Sequence, residues 1–566
     1  MEDGQKEGET SGRRVDILYR VDQRPPWVMA VLLALQQFLT MFGSAFSLPI
    51  LMSNSLCMAG DTVGLSQLIS TVLFVSGIGT LLQTTIGVRL PIIQSISASF
   101  ATPFIALLSL PTWSCPGCTS DVVVNSNTTQ VQCGSDDHRD LWQARLREMV
   151  LGFSGLVGLL MNLIGPLTVA PTIALIGLSL FDLVAIKSRG QWWISLTTLA
   201  LIVIFSQYLR NIILAVGLAW LLCYIFTETD VFPSDSKKWG YAARTDTKSE
   251  VLSLAPWFRF PYPGQWGLPT VSVAGVLSGI AATLASIVES VGDYYACARI
   301  SGAPPPPNSA VSRGIGVEGV TCLLAGAWGS SGGLTSYSQN TGAIGITKVA
   351  SRAVFQIAGI LLLILACIGK FSAIFVSIPD PIVGGIFFAM FGMVTAVGLS
   401  NLQYVDLSST RNLFVLGVSL FLGLTVPKWV AQPANAGAIS TCCSELDQIF
   451  YVLCSTSMFV GGVVAFFLDN TIPGTREERG MIRWRGHGQE SSDQQDDLDK
   501  DLSIYDLPLI QPWLNKQKFT SYLPFCPGFR SNRRRHSSEL KEKAASDGKV
   551  NVGFAEPAEC TSYTQL

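Results

Sequence analysis

The chain has 566 residues and a formal net charge of −2, with 49% hydrophobic and only 14% charged residues. Mean hydropathy is +0.40, whereas a soluble domain averages about 25% charged residues. This balance excludes an ordinary soluble domain and offers no basic surface for nucleic acid. It places the chain among polytopic membrane proteins.

In chain order, residues 1–25 form a polar N-terminal tail. It has no apolar h-region, so no cleavable signal peptide is expected and the first span directs insertion. Apolar windows of roughly 20 residues predict about fourteen spans. They fall near 28–52, 64–88, 92–109, 147–164, 166–185, 193–209, 212–228, 269–298, 314–329, 335–349, 354–378, 382–399, 412–427 and 447–468. The third and tenth are short and begin with small polar residues, Gln94-Ser-Ile-Ser-Ala-Ser-Phe100 and Leu334-Thr-Ser-Tyr-Ser-Gln339. Short interrupted segments at matching positions in two halves point to a midplane site in an inverted-repeat transporter.

Arg13, Arg14, Arg20 and Arg24 precede the first span, and Arg483, Arg485, Arg530 and Arg533 to Arg535 follow the last. The positive-inside rule then puts both ends in the cytoplasm. The loop after the third span lies outside, with Cys115, Cys118, Cys133 and the glycosylation sequon at Asn127, features that suit an oxidising compartment. Lys237, Lys238, Arg244 and Lys248 also fall outside, in the 229–267 loop, because long loops cross largely regardless of charge. The three histidines, His138, His487 and His536, all lie outside the spans. This argues against a haem, a histidine metal site or a His proton relay in the membrane, and against the alternative of a membrane enzyme acting through Glu289 and Asp293, so no enzyme is expected.

The chemistry concentrates between Glu289 and Lys348. Glu289 and Asp293 lie one helical turn apart in an apolar stretch, on one face. Carboxylates in hydrocarbon are retained where they face a cavity, an ion or a substrate. Further on, the Gly/Ser/Thr-rich break Gly329-Ser-Ser-Gly-Gly-Leu-Thr-Ser-Tyr-Ser338 is irregular backbone of the kind tolerated only where it lines such a cavity.

Gln339, Asn340, Gly342, Thr347 and Lys348 form a run that resembles the signature of the nucleobase–ascorbate transporters. Glu289-Ser-Val-Gly-Asp-Tyr-Tyr-Ala-Cys-Ala-Arg299, Gly302-Ala-Pro-Pro-Pro-Pro307 and Leu468-Asp-Asn-Thr-Ile-Pro-Gly-Thr-Arg-Glu-Glu-Arg-Gly480 are similar to the vertebrate branch, solute carrier family 23. The resemblance implies an all-α fold of about fourteen segments in two inverted repeats of seven, with short strands in segments 3 and 10. It divides the chain into a core domain (26–165 and 268–378) and a gate domain (166–228 and 379–470). An extracellular loop (229–267) and a cytoplasmic C-terminal tail (471–566) complete it. A plasma-membrane homodimer joined through the gate, with the core sliding like an elevator, is the implied mechanism.

The same resemblance places substrate contacts at Glu289, Gln339, Ser338, Ala98, Ser97, Ser99 and Gln36. In that family the residue at position 339 separates nucleobase carriers, with Gln or Glu, from ascorbate carriers, with Pro. A Gln amide offers donors and an acceptor to a planar base edge, which Pro lacks. Ionised Glu289 accepts from ring N–H groups, and Asp293 is a hard oxygen ligand for Na⁺, the coupling ion, with no other cofactor. The expectation is Na⁺-coupled import of uracil, thymine, hypoxanthine, guanine and xanthine; ascorbate transport is the alternative. Relatives carry a loop after Ser206-Gln-Tyr-Leu-Arg-Asn211 that this chain lacks, so Leu209 to Asn211 must turn directly into the seventh span, and a transport-impaired variant is a further alternative.

Overall fold

The computed structural model describes residues 17–108, 165–205, 212–266, 273–432, 435, 444–481 and 503–507, apart from 54, 57, 59, 60, 236, 237 and 476. The predicted fourth span, the loop carrying Cys115, Cys118, Asn127 and Cys133, the turn at Leu209 to Asn211, and Cys442 and Cys443 lie outside the described residues.

The first two spans are α1 (Trp27–Met52) and α2 (Thr62–Thr85). Asp61 starts α2 by accepting the Gly64 N–H at 2.7 Å, which satisfies one of the orphan donors of the first turn. Strand β1 (Gln94–Ile96) leads directly into α3 (Ala98–Leu108). After the undescribed segment come α4 (Pro166–Leu178), α5 (Phe181–Ser188), α6 (Trp192–Val203) and α7 (Ile212–Glu228). The loop beyond α7 holds the short α8 (Glu250–Leu254). The long α9 (Val273–Ile300) and α10 (Asn308–Ala327) precede β2 (Leu334–Ser336), which runs into α11 (Ser338–Thr347). The chain continues through α12 (Arg352–Ala366), α13 (Gly369–Val376), α14 (Asp380–Ser400) and α15 (Thr410–Val430). It closes with α16 (Ser444–Ser455) and α17 (Ser457–Thr471).

Among the described residues, five helices are long and apolar enough to cross a membrane, or six if one bent pair counts as a single span. Two predicted spans are broken in two. The segment at 166–185 is interrupted only at Ser179 and Leu180 and still makes one span, Pro166–Ser188, whereas 354–378 divides into α12 and α13. The last, 447–468, bends by 83° between α16 and α17. Apolar composition alone does not register such breaks, because the residues on either side remain equally hydrophobic.

The helices pack in two sets. In the first, α2 lies against α12, α13 and α10, α1 against α12, and α9 against α3 and α11. In the second, α4 and α14 pair, with α5 and α6 on α14 and with α15 and α17 beside α4. Small residues set the closest approaches. A Cβ on Gly77 of α2 would stand 2.8 Å from the Gly359 carbonyl of α12, and one on Gly398 of α14 would stand 2.4 Å from the Ala174 nitrogen of α4. Where lipid replaces water, such backbone-close packing carries helix association. Helix α9 joins the sets, touching α4, α16 and α17.

Candidate functional site

The two strands meet within the first set, β1 against α1 and α2 and β2 against α9 and α10. β1 and β2 pair antiparallel, with Gln94 opposite Ser336, Ser95 opposite Thr335 and Ile96 opposite Leu334. The flanking bonds are reciprocal: Ser97 N donates to Gly333 O at 3.3 Å, and Tyr337 N donates to Ile93 O at 3.1 Å. The crossing therefore has a local twofold character. Strands of three residues leave backbone groups over, and neighbouring helices take them. Gln94 N donates to Thr80 Oγ1 of α2 at 3.0 Å, and Leu334 N donates to Cys322 Sγ of α10 at 3.2 Å. The Phe100 ring covers Gly333, where a Cβ would fall 2.6 Å from it.

This crossing brings the first turns of α3 and α11 to α9. Helix N-termini carry partial positive charge from their unpaired N–H groups, so the carboxylates of α9 face a compensating field. Ser97 Oγ donates to Glu289 Oε2 at 2.8 Å and Ser99 Oγ donates to the same oxygen at 3.0 Å. The two hydroxyl oxygens are 2.7 Å from each other, and Ser99 N donates to Ser97 Oγ at 3.1 Å. Glu289 Oε1 takes no bond from the described residues, and Glu289 keeps 9% exposure. Asp293 is 2% exposed, with Ser336 Oγ donating to its Oδ2 at 3.3 Å.

Gln339, 5% exposed, is the second residue of α11. Asn340 beside it donates through Nδ2 to Gln37 O at 2.7 Å and to Gln37 Oε1 at 2.8 Å, fastening α11 to α1. Gln37 is thus the span-one residue tied to the signature. Gln36 is half-buried, and its carbonyl accepts from Thr40. Ala98 and Ser338 open α3 and α11, and only their backbone positions are described. A Cβ on Gly342 would face open space. Thr347 and Lys348 end α11, about 13 Å of helix beyond Gln339. Lys348 has φ 59° and its carbonyl accepts from Leu18 N, so it closes the helix away from the carboxylates.

One acidic residue is missing from the sequence reading. Glu318, on α10, is 1% exposed, with Gln94 Nε2 donating to Oε1 at 3.0 Å and Ser290 Oγ donating to Oε2 at 2.6 Å. Its place inside a predicted span was the available signal. Among the described residues no three His, Cys, Asp or Glu side chains converge closely enough to hold a metal ion.

Comparison with known proteins agrees in family. Residues 29–432 match the model of a permease family. Solute carrier family 23 member 1 of Mus musculus is 45% identical over 555 residues, covering 91% of this chain and 90% of the relative. Nucleobase-ascorbate transporter 1 of Arabidopsis thaliana is 34% identical over 499 residues, covering 83% and 92% respectively. Among solved structures, murine solute carrier 26 family member A9, an anion transporter in the inward-facing state, aligns with a TM-score of 0.50 at 11% identity, over 71% of this chain and 66% of that one. That likeness is one of fold.

Proposed function

The chain belongs to the permease family, in its nucleobase–ascorbate branch (solute carrier family 23), and from this membership and the site we propose that it is a Na⁺-coupled importer of nucleobases. The observation that carries the proposal is the placement of Glu289 between Ser97 and Ser99, with Gln339 on the facing half-helix. A base such as uracil presents ring N–H donors beside carbonyl acceptors. Glu289 Oε1 accepts from the former, and the Gln339 amide complements the latter. Backbone N–H groups at the starts of α3 and α11 add donors of fixed direction.

Burying an isolated carboxylate costs several kcal/mol. Na⁺ at Asp293 offsets part of this cost for both acidic groups, so ion and substrate assist each other. In this reading fourteen spans form two inverted repeats. The first helix set is the mobile core, the second a dimerising gate, and the core travels as an elevator through the plasma membrane with both termini in the cytoplasm. A glycan on Asn127 lies outside.

A second reading has one observation in its favour: the plant relative's name couples nucleobase with ascorbate. Radiolabelled uracil uptake in cells expressing the chain, with Na⁺ and with choline in its place, tests the first reading. Saturable, Na⁺-dependent uracil uptake insensitive to ascorbate supports it. Na⁺-dependent ascorbate uptake without uracil uptake replaces it by the second.

A further inference from the structure

Both ends of the described chain meet at one pole of the first helix set. Arg352, at the start of α12, pairs through Nη1 with Asp22 Oδ1 at 3.0 Å and donates through Nε to Arg89 O at 2.9 Å. Its Nη2 donates to Ile504 O at 3.0 Å. Arg313 of α10 donates through Nε to Gly87 O at 2.8 Å and through Nη2 to Tyr505 O at 2.6 Å. Tyr505 is 2% exposed and its hydroxyl donates to Pro304 O at 2.6 Å. An N-terminal strap lies alongside, with Ala350 N donating to Tyr19 O and Arg352 N to Val21 O, each at 2.9 Å.

Chain continuity does not force the C-terminal residues into this position. Met481 packs at Gly165, at the start of α4 in the second set. The 21 residues between Met481 and Ser503 have a contour of up to about 70 Å. The contacts that hold 503–507 include two guanidinium–carbonyl bonds and a buried phenol. Charge favours the same seat. Burial pushes the Arg89 guanidinium down to about 10, Arg352 adds to the shift, and Asp22 and Asp506 oppose it.

The seat also has a mechanical position. Gly87 and Arg89 belong to the link that leads into β1 and α3, and Arg352 begins the helix that follows α11. Arg89 has φ 64°, a left-handed conformation that needs support in a residue with a side chain. The bonds from Arg313 and Arg352 brace this link, and the same two side chains hold the tail. We propose that residues 503–507 are a built-in ligand, a tyrosine-centred C-terminal segment whose seat at Arg313, Arg352 and Pro304 braces the roots of the two half-helices and so positions the substrate site. The positioning half of this inference rests on the transport reading; occupancy of the seat does not.

Occupancy is tested on the full-length chain with 503–507 replaced by a Gly-Ser repeat, using a fluorescent synthetic peptide of residues 499–511. The peptide binds the replaced chain, and binds the wild type at least about tenfold more weakly, because the tethered segment competes at high effective concentration. A peptide carrying Tyr505→Ala loses about tenfold in affinity for the replaced chain. Failure to bind the replaced chain, or equal binding to both chains, overturns the seat. Should the replaced chain not fold, hydrogen exchange of the wild type decides: amides of 503–507 are protected, and Tyr505→Ala removes the protection, whereas an unprotected wild-type segment overturns the proposal.

Positioning is read from uptake at matched surface density. Tyr505→Ala raises KM about threefold or more at unchanged maximal rate, and Tyr505→Phe, which keeps the buried ring, recovers most of it. A fall in rate with KM unchanged overturns the positioning role. Absence of uptake by the wild type counts against the transport reading and leaves the peptide measurement intact.

Discussion

Ser97 and Glu289 are 192 positions apart in sequence and joined by a 2.8 Å hydrogen bond. With Ser99 they form a triangle of oxygens in which each pair is within 3.0 Å. Two hydroxyl hydrogens are available for three short contacts. With Glu289 ionised, both can point at Oε2 and hold the carboxylate with Oε1 turned toward the open side. The β1 turn thus orients the acidic group that the proposed substrate meets.

Glu289→Gln keeps size and removes charge. The two serines then face a neutral oxygen or an amide donor, and the ring N–H groups of a base lose a charged acceptor. A hydrogen bond to a charged group contributes about 1.5–3 kcal/mol, so uptake falls by roughly one to two orders of magnitude. Surface biotinylation alongside uracil uptake checks this. Wild-type uptake at equal surface density removes Glu289 from the site. Ser97→Ala combined with Ser99→Ala leaves the charge but frees the carboxylate, so KM rises more than maximal rate falls.

Gln339→Pro removes the amide from the second position of α11. Proline is tolerated in a first helical turn, where its missing N–H has no helical partner to lose, so α11 itself persists. Uracil uptake is expected to fall at least tenfold while protein level holds. Competition by unlabelled ascorbate in the same cells shows whether selectivity has moved. Unchanged uracil kinetics would falsify the assignment of base recognition to Gln339.

The carboxylates, the interrupted third and tenth segments and the signature run were legible because polar residues in an apolar background are conspicuous. Glu289, Asp293 and Gln339 stand out on that ground alone. Glu318 is equally polar and buried but lies in α10 without neighbouring signature residues, and its partners Gln94 and Ser290 come from distant elements. That Gln37 is the span-one residue bonded to Asn340 depends on helix rotation, which sequence spacing does not fix. The 83° bend between α16 and α17 was illegible for the same reason: Ser455, Thr456 and Ser457 carry no proline or glycine to announce it.

Asp469 tests the stability of the second helix set. Near the end of α17, its side chain is fully buried between Arg411 Nη2 at 3.0 Å and Arg479 Nη2 at 2.9 Å. Removing one partner of a buried ionic group leaves uncompensated charge and costs about 3–5 kcal/mol. Asp469→Ala should therefore lower the melting temperature of the purified protein and its surface level together. Asp469→Asn retains two acceptor lone pairs and should lose less. An unaltered melting temperature in the Ala variant would show that the arginines find other partners.

Asp293 separates an ion ligand from a packing group. It lies one turn beyond Glu289 and is 2% exposed, and among the described residues its one hydrogen bond is from Ser336 to Oδ2 at 3.3 Å. A carboxylate this buried and this lightly bonded leaves lone pairs for a cation. If Na⁺ uses them, substrate affinity and Na⁺ affinity rise together, because coupling between two binding sites is reciprocal. Asp293→Asn keeps a neutral oxygen, so the Na⁺ concentration for half-maximal uracil uptake should rise about tenfold, which corresponds to about 1.4 kcal/mol. Uracil KM at fixed Na⁺ should rise with it. A packing Asp predicts a different pattern, with lower surface level and an unchanged Na⁺ curve. Uptake measured against Na⁺ at matched surface density distinguishes the two, and an unmoved curve in the Asn variant places the ion away from Asp293.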